Sequence, residues 1–176
     1  MQDIAGQFGE AYERYSDELF RHSSLRLSDR ERALELTQEA FLKTWEYMSR
    51  GNEVREVRPF LYRTLRNLII DEYRKAKSVS LEHMVKDTED GDIESLMPAD
   101  ETNTLEAAID RFEGARALRA LKQLPDSYRE VLVMRYVDGF SPREIASAIG
   151  EHENAVSVRI HRGLKKLKAA LEPEPQ

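Results

Sequence analysis

Cysteine is absent from the 176 residues. That excludes a disulfide framework, a thiolate zinc site and a thiol nucleophile. Histidine is sparse: His22, His83, His152 and His161 stand scattered, none at metal-ligand spacing. No Gly-rich phosphate loop or dinucleotide fingerprint is present either. The chain is therefore expected to carry no metal, no cofactor and no catalytic residue, and not to be an enzyme. Long apolar runs are missing too. Nothing approaches the ~18 residues of a membrane span, and the opening MQDIAGQFGEAYERY lacks the basic-then-apolar order of a signal peptide. A cytoplasmic protein without membrane insertion is the expectation.

Charge is plentiful but unevenly placed. The net charge of −6 argues against a nucleic-acid partner only as a chain average. Residues 1–80 hold 14 basic and 14 acidic side chains, whereas residues 81–110 hold ten acids and a single base, Lys86. Residues 111–176 hold 12 bases and 9 acids, and the run Asn154–Leu171 contains Arg159, His161, Arg162, Lys165, Lys166 and Lys168 with no acid. Exposed charges are screened beyond roughly 10 Å at ordinary salt, so a basic helix keeps its own local field. The acidic middle, with few large apolar residues and no sustained period, reads as a flexible linker. Its Asp-rich centre does not fit a calcium loop, because alignment on Gly91 places Lys86, Thr88 and Met97 at ligand positions.

Strand signals are nearly absent, and helical periodicity runs through the rest. Phe8, Ala11, Tyr12, Tyr15, Leu19 and Phe20 mark a first helix. A second is expected to open at the capping box Ser28-Asp29-Arg30-Glu31 and to bury Ala33, Leu36, Ala40, Phe41, Thr44, Trp45 and Met48. Its other face shows Glu35, Gln38, Glu39 and Glu46, a pattern equally compatible with a solvated surface and a partner surface. A third helix is expected from Pro59, with Leu61, Leu65, Leu68, Ile69 and Tyr73 inward. Arg63, Arg66, Asn67, Arg74, Lys75 and Lys77 stand away from that stripe. With Tyr62 and Tyr73 as exposable aromatics they match either a single-strand-reading surface or an ordinary basic face.

Beyond the linker, a helix from about Leu105 to Lys122 precedes Pro125 and a short helix through Tyr128, Val131, Leu132 and Met134. Ser141-Pro142-Arg143-Glu144 is a second capping box with Pro at the first helical position. Ala146 is small enough for a close crossing, Gly150 suits a positive-φ turn, and a longer helix opens near Glu153 with Val156 and Ile160 inward. This is the spacing of a helix-turn-helix, whose second helix enters the major groove. Glu153, Asn154, Ser157 and Arg159 are the groove-facing candidates, and Arg162, Lys165 and Lys166 the phosphate neutralisers. The expected fold is all-α: an N-terminal helical bundle and a C-terminal helix-turn-helix domain joined by a flexible acidic linker. The expected boundaries are 1–80, 81–104 and 105–172, with a tail at 173–176.

These residues resemble the bacterial RNA polymerase sigma factors of the extracytoplasmic-function (ECF) group. Ala33–Trp45 is similar to the family's segment that docks on the clamp helices of the polymerase β′ subunit, and Phe60–Arg74 to its minus-ten recognition and melting helix. Leu124–Tyr136 with the helix-turn-helix is similar to its minus-thirty-five domain. The resemblance implies a subunit that binds core RNA polymerase, through β′ clamp helices and β flap, and directs initiation at specific promoter DNA. It makes Glu35, Gln38 and Glu39 the core-binding residues. It makes Arg50, Asn52, Arg55, Arg63, Arg66, Asn67 and Arg74 the minus-ten set, with the Arg50–Arg58 loop pocketing a flipped base. The minus-thirty-five set is Glu153, Asn154, Ser157, Arg159, Arg162, Lys165 and Lys166. An anti-sigma factor is a further partner compatible with the resemblance. The chain departs from the family pattern at Phe60, usually Trp, at His152, usually a Ser cap, and at Ser157, usually Lys. A conventional helix-turn-helix repressor is the rival within DNA binding, although no dimerisation heptad or ligand domain is present.

Overall fold

The computed structural model describes residues 3–82 and 105–172, with side chains described for 3–78 and 114–172. The acidic stretch from 83 to 104 and the tail 173–176 lie outside the described residues. Among the described residues there are seven α-helices and no strand: α1 (Ile4–Arg26), α2 (Arg30–Ser49), α3 (Val57–Glu82), α4 (Leu105–Gln123), α5 (Asp126–Leu132), α6 (Pro142–Ile149) and α7 (Glu153–Leu171). A π-helical turn, Val133–Val137, extends α5. The all-α expectation holds. Helices α1–α3 form one compact unit, and α4–α7, apart from Ser147–Gly150, form another.

In the first unit each helix packs on the other two. Asp3 caps α1 by accepting from the Gly6 amide at 3.0 Å. The α2 cap falls one residue later than expected. Asp29, not Ser28, accepts from the Arg32 amide at 3.1 Å. Both residues are good caps, and each stands three residues before an amide without an intrahelical acceptor, Glu31 for Ser28 and Arg32 for Asp29; the helix opens at Arg30, which makes Asp29 its cap. Helix α3 likewise begins at Val57 rather than Pro59, its first turn closed by Phe60 N–H to Glu56 C=O at 3.4 Å. Proline is tolerated anywhere in a first turn because those amides have no intrahelical acceptor.

The inward stripes are those the periodicity marks. Leu19, Ala33, Leu36, Ala40, Phe41, Leu61, Leu65 and Ile69 are buried. Two of the buried hydroxyls in this core meet at the α1–α2 crossing. The Ser23 and Thr37 hydroxyls lie 2.9 Å apart, and both donate to the Ala33 carbonyl. Ion pairs fasten α3 to its neighbours. Arg58 meets Glu18 of α1 at 2.6 Å, and Arg32 of α2 grips both carboxylate oxygens of Glu72 at 2.8 Å.

The second unit is built around α5 against α7. Arg129 donates to the carbonyls of Leu121, Lys122 and Leu124, satisfying acceptors freed where α4 ends. Gly163 gives α7 its close approach to α5: a Cβ there would sit 3.2 Å from Leu132 Cδ1. The second capping box forms as expected. The Glu144 amide donates to Ser141 Oγ at 3.2 Å, and the Ser141 amide donates back to Glu144 Oε2 at 2.7 Å. Gly150, at φ 72°, ends α6, and the Glu151 amide closes the turn on the Ala146 carbonyl at 3.0 Å. This is the bond pattern of a left-handed helix C-cap, a conformation costly for residues with a Cβ. Helix α7 then starts at His152, whose side chain makes no capping bond, as befits a weak cap.

Candidate nucleic-acid interfaces

Three solvent-facing stripes hold the candidate residues. On α2, Glu35 and Gln38 are exposed and Glu39 partly so. They are not purely polar surroundings: Leu34 and Leu42 are exposed beside them, Leu42 at 56%. Gln38 also lines a cleft of about 150 Å³ with Tyr12, Leu34 and Phe41. Glu35 is oriented from below. The Arg32 guanidinium that clasps Glu72 also donates to Glu35 Oε2 at 2.7 Å.

The second stripe lies on α3. Arg63, Asn67 and Arg74 are exposed and Arg66 half-buried, all at spacings that share one helix face. The preceding loop is anchored by buried Val54, leaving Arg50, Asn52 and Arg55 outside. The Asn52 amide donates to the Tyr47 carbonyl at 2.9 Å, which fixes the loop start. Tyr62 corrects the sequence reading. It is 2% exposed, edge-on to His22 at 5.1 Å, and unavailable for stacking. Tyr73 also turns inward, its hydroxyl bonding to the Arg26 carbonyl. Helix α3 packs on α1 at these rings, so the core takes Tyr62 and half-buries Tyr73.

The third stripe is the start of α7. Glu153, Asn154, Ser157, Val158, His161, Arg162 and Lys165 are exposed, whereas Val156, Ile160 and Gly163 are buried. Tyr128 of α5 forms the opposite wall of a depression of about 440 Å³ shared with Asn154, Val158 and Arg162. Lys166 leans back over the Tyr128 ring at 5.5 Å. Arg159 is a quarter exposed and forked onto Glu151, Nη1 to Oε1 at 3.1 Å and Nη2 to Oε2 at 2.6 Å.

Two family descriptions match the chain in this order: Sigma-70 region 2 over residues 11–79 and Sigma-70 region 4 over 115–167. The chain is 30% identical to the ECF RNA polymerase sigma factor SigL of Mycobacterium tuberculosis, over 92% of this chain and 86% of SigL. The chain belongs to the ECF RNA polymerase sigma factors. To SigW of Bacillus subtilis it is 29% identical over 93% of its length and 88% of the relative's. Its fold matches the sigma factor RpoE, solved with the anti-sigma factor NepR from Bartonella quintana, at a TM-score of 0.74 and 17% identity, covering 96% of this chain and 99% of RpoE. It also matches CnrH, solved with the cytosolic domain of CnrY, at 0.67 and 23% identity, covering 98% and 97%. As a sigma factor the protein binds core RNA polymerase and directs promoter-specific initiation of transcription.

Region 2 spans the first two stripes of this sigma factor and region 4 the third. Sequence reasoning overlooked Tyr47, 41% exposed and tilted against Phe60 at 5.0 Å beside the Asn52 loop, and the two exposed leucines of α2. The signal existed: Leu34, Leu42 and Tyr47 are large apolar residues off the core stripe of α2. Among the described residues no cluster of His, Asp and Glu could hold a metal, and no helix is long and apolar enough to cross a membrane.

The Arg32–Glu72 clasp holds the Glu72 carboxyl below its ordinary 4.5, chiefly through the hydrogen bonds from Arg32, and raises the Arg32 guanidinium further. A carboxyl depressed in the folded state adds stability above the unfolded pKa and loses it as pH falls through the folded one. The contribution is thus complete above pH 4.5, and small, about 1 kcal/mol or less, since the pair is partly exposed. Glu72→Gln is expected to melt below the wild type at neutral pH, with the gap closing as the buffer is taken below 4.5. Thermal melts from pH 7 to pH 3 measure it.

Proposed function

We propose that the two units divide promoter recognition between them. Residues 1–80 dock on the β′ clamp helices through Glu35, Gln38 and Glu39, and capture an unpaired minus-ten base with the 50–58 loop and α3. Residues 105–172 hold duplex DNA at the minus-thirty-five element and meet the β flap. The stretch 81–104 tethers the two, and its carboxylates can imitate a nucleic-acid backbone along basic walls of the polymerase. The protein performs no chemistry of its own and works in the cytoplasm.

The separation of two unlike stripes on neighbouring helices of one unit carries this reading. The α2 stripe sets exposed Leu34 and Leu42 beside polar Glu35, Gln38 and Glu39, an apolar centre with a polar rim such as a docking surface has. The α3 stripe alternates guanidinium groups with one amide, Asn67, two turns along the same helix face from half-buried Phe60, whose ring meets exposed Tyr47. Stacking on such rings contributes roughly 1–3 kcal/mol per base, and extruding a base costs a few kcal/mol, so a ring and an amide together can offset extrusion. Tyr47, with Phe60 half-buried against it, replaces buried Tyr62 and half-buried Tyr73 as the stacking candidate. Because RpoE and CnrH were solved with an anti-sigma factor and CnrY respectively, an anti-sigma protein on the α2 stripe is part of the proposal.

Asn67→Ala in the holoenzyme is expected to weaken binding of a single-stranded minus-ten oligonucleotide by about 1–3 kcal/mol at one base only. Fluorescence anisotropy across a set of single-base variants measures it. Equal loss at every position would reassign Asn67 to the backbone.

A further inference from the structure

Val158 occupies a position on α7 that the fold does not explain. It comes two residues after buried Val156 and two before buried Ile160, which turns it about 160–200° from each. It is 48% exposed. A β-branched residue there lowers helix propensity, and in the free protein it reaches only about half burial, on the rim of the Tyr128 depression. Its neighbours along the same face are Asn154 one turn before and Arg162 one turn after, with Ser157 and His161 alongside, all exposed. Every one of these can exchange hydrogen bonds with a base edge or a phosphate. Val158 cannot. In a major groove an apolar branch set among hydrogen-bonding side chains has one complementary feature to meet, the C5-methyl of thymine. Opposite a cytosine amino group or a purine N7 it would leave a polar atom desolvated and unpaired.

We infer that Val158 is a specificity-determining residue that selects a thymine in the minus-thirty-five element by contact with its methyl group. The inference rests on the proposed placement of α7 in the major groove. It assigns a base preference to a residue that donates and accepts no hydrogen bond.

The test uses the full chain assembled with core polymerase. The holoenzyme first selects its upstream element from a random duplex library, and each thymine of that element is then replaced singly by deoxyuridine, which lacks only the methyl. One replacement is expected to weaken wild-type binding by about fourfold, the value of one buried methyl. With Val158→Ala the same replacement is expected to change nothing, while Val158→Ala on the unmodified element loses the same factor. Thermal melting of the variant should match the wild type, since no core contact is removed. If no thymine responds, or if wild type and Val158→Ala respond alike, the inference is overturned while the groove placement stands. A holoenzyme that selects no upstream duplex element overturns the groove placement, and the inference with it.

Discussion

Glu35→Lys combined with Gln38→Ala is expected to abolish capture of core RNA polymerase and leave the fold intact. Glu35 is 63% exposed at its side chain, and its bond to Arg32 is an i,i+3 surface pair. Such pairs contribute about 0–1 kcal/mol. Arg32 keeps its clasp on Glu72 when Glu35 is gone, so the α2–α3 junction retains its ion pair. Gln38 is exposed and lines only the small cleft beside Phe41. The melting temperature should therefore fall by no more than a few degrees. Binding is another matter. In the proposed interface Glu35 and Gln38 sit between Leu34 and Leu42, where water is excluded on docking. A lysine placed there reverses the charge that the proposed partner surface has to complement, and a mismatch of that kind costs several kcal/mol. The variant should fail a polymerase pull-down while keeping wild-type circular dichroism. Normal pull-down would move the docking surface off α2.

Arg159→Ala is expected to flatten discrimination at one base pair of the minus-thirty-five element by about 1–3 kcal/mol. The structure adds a reason for the precision that such a contact needs. Glu151, the residue that closes the turn after α6, holds both terminal nitrogens of Arg159. A free arginine gives up considerable rotamer freedom on binding; one already forked onto a carboxylate gives up less. Glu151→Gln should therefore reduce the same discrimination in part, by loosening the fork without removing the guanidinium. Footprinting or anisotropy on single-base variants of the element distinguishes the outcomes. If Arg159→Ala loses affinity equally for every sequence, Arg159 serves a phosphate or the turn itself and reads no base.

What the sequence discloses depends on how local each feature is. The second capping box needs only Ser141 and Glu144, three residues apart, and Gly150 needs only the backbone of its own turn, so both are legible. The start of α2 is ambiguous because Ser28 and Asp29 are adjacent, both cap well and each precedes an unpaired amide by three residues; the structure has Asp29 making the bond. Tyr62 is legible as an inward residue, because on a helix it lies within about 20° of Ile69 and Tyr73 at the edge of the buried stripe, and the packing of α1 on α3, forty residues apart at His22 and Tyr62, completes its burial. The Arg32–Glu72 clasp spans the same distance and carries no sequence signal. The net charge of −6 is the clearest case of an average concealing local order. The all-basic run from Asn154 to Leu171 lies on one continuous helix, α7.

The central claim is that one chain, with two separate DNA-reading units, gives core polymerase its promoter specificity. Transcription from a random promoter library with core polymerase, with and without the protein, tests it most directly. The account predicts that added protein enriches transcripts from templates carrying two short motifs at a fixed spacing, near minus ten and minus thirty-five. Enrichment should vanish with Glu35→Lys/Gln38→Ala, and the upstream motif alone should blur with Arg159→Ala. Transcripts unchanged by the protein, or repression centred on a palindrome, would contradict it.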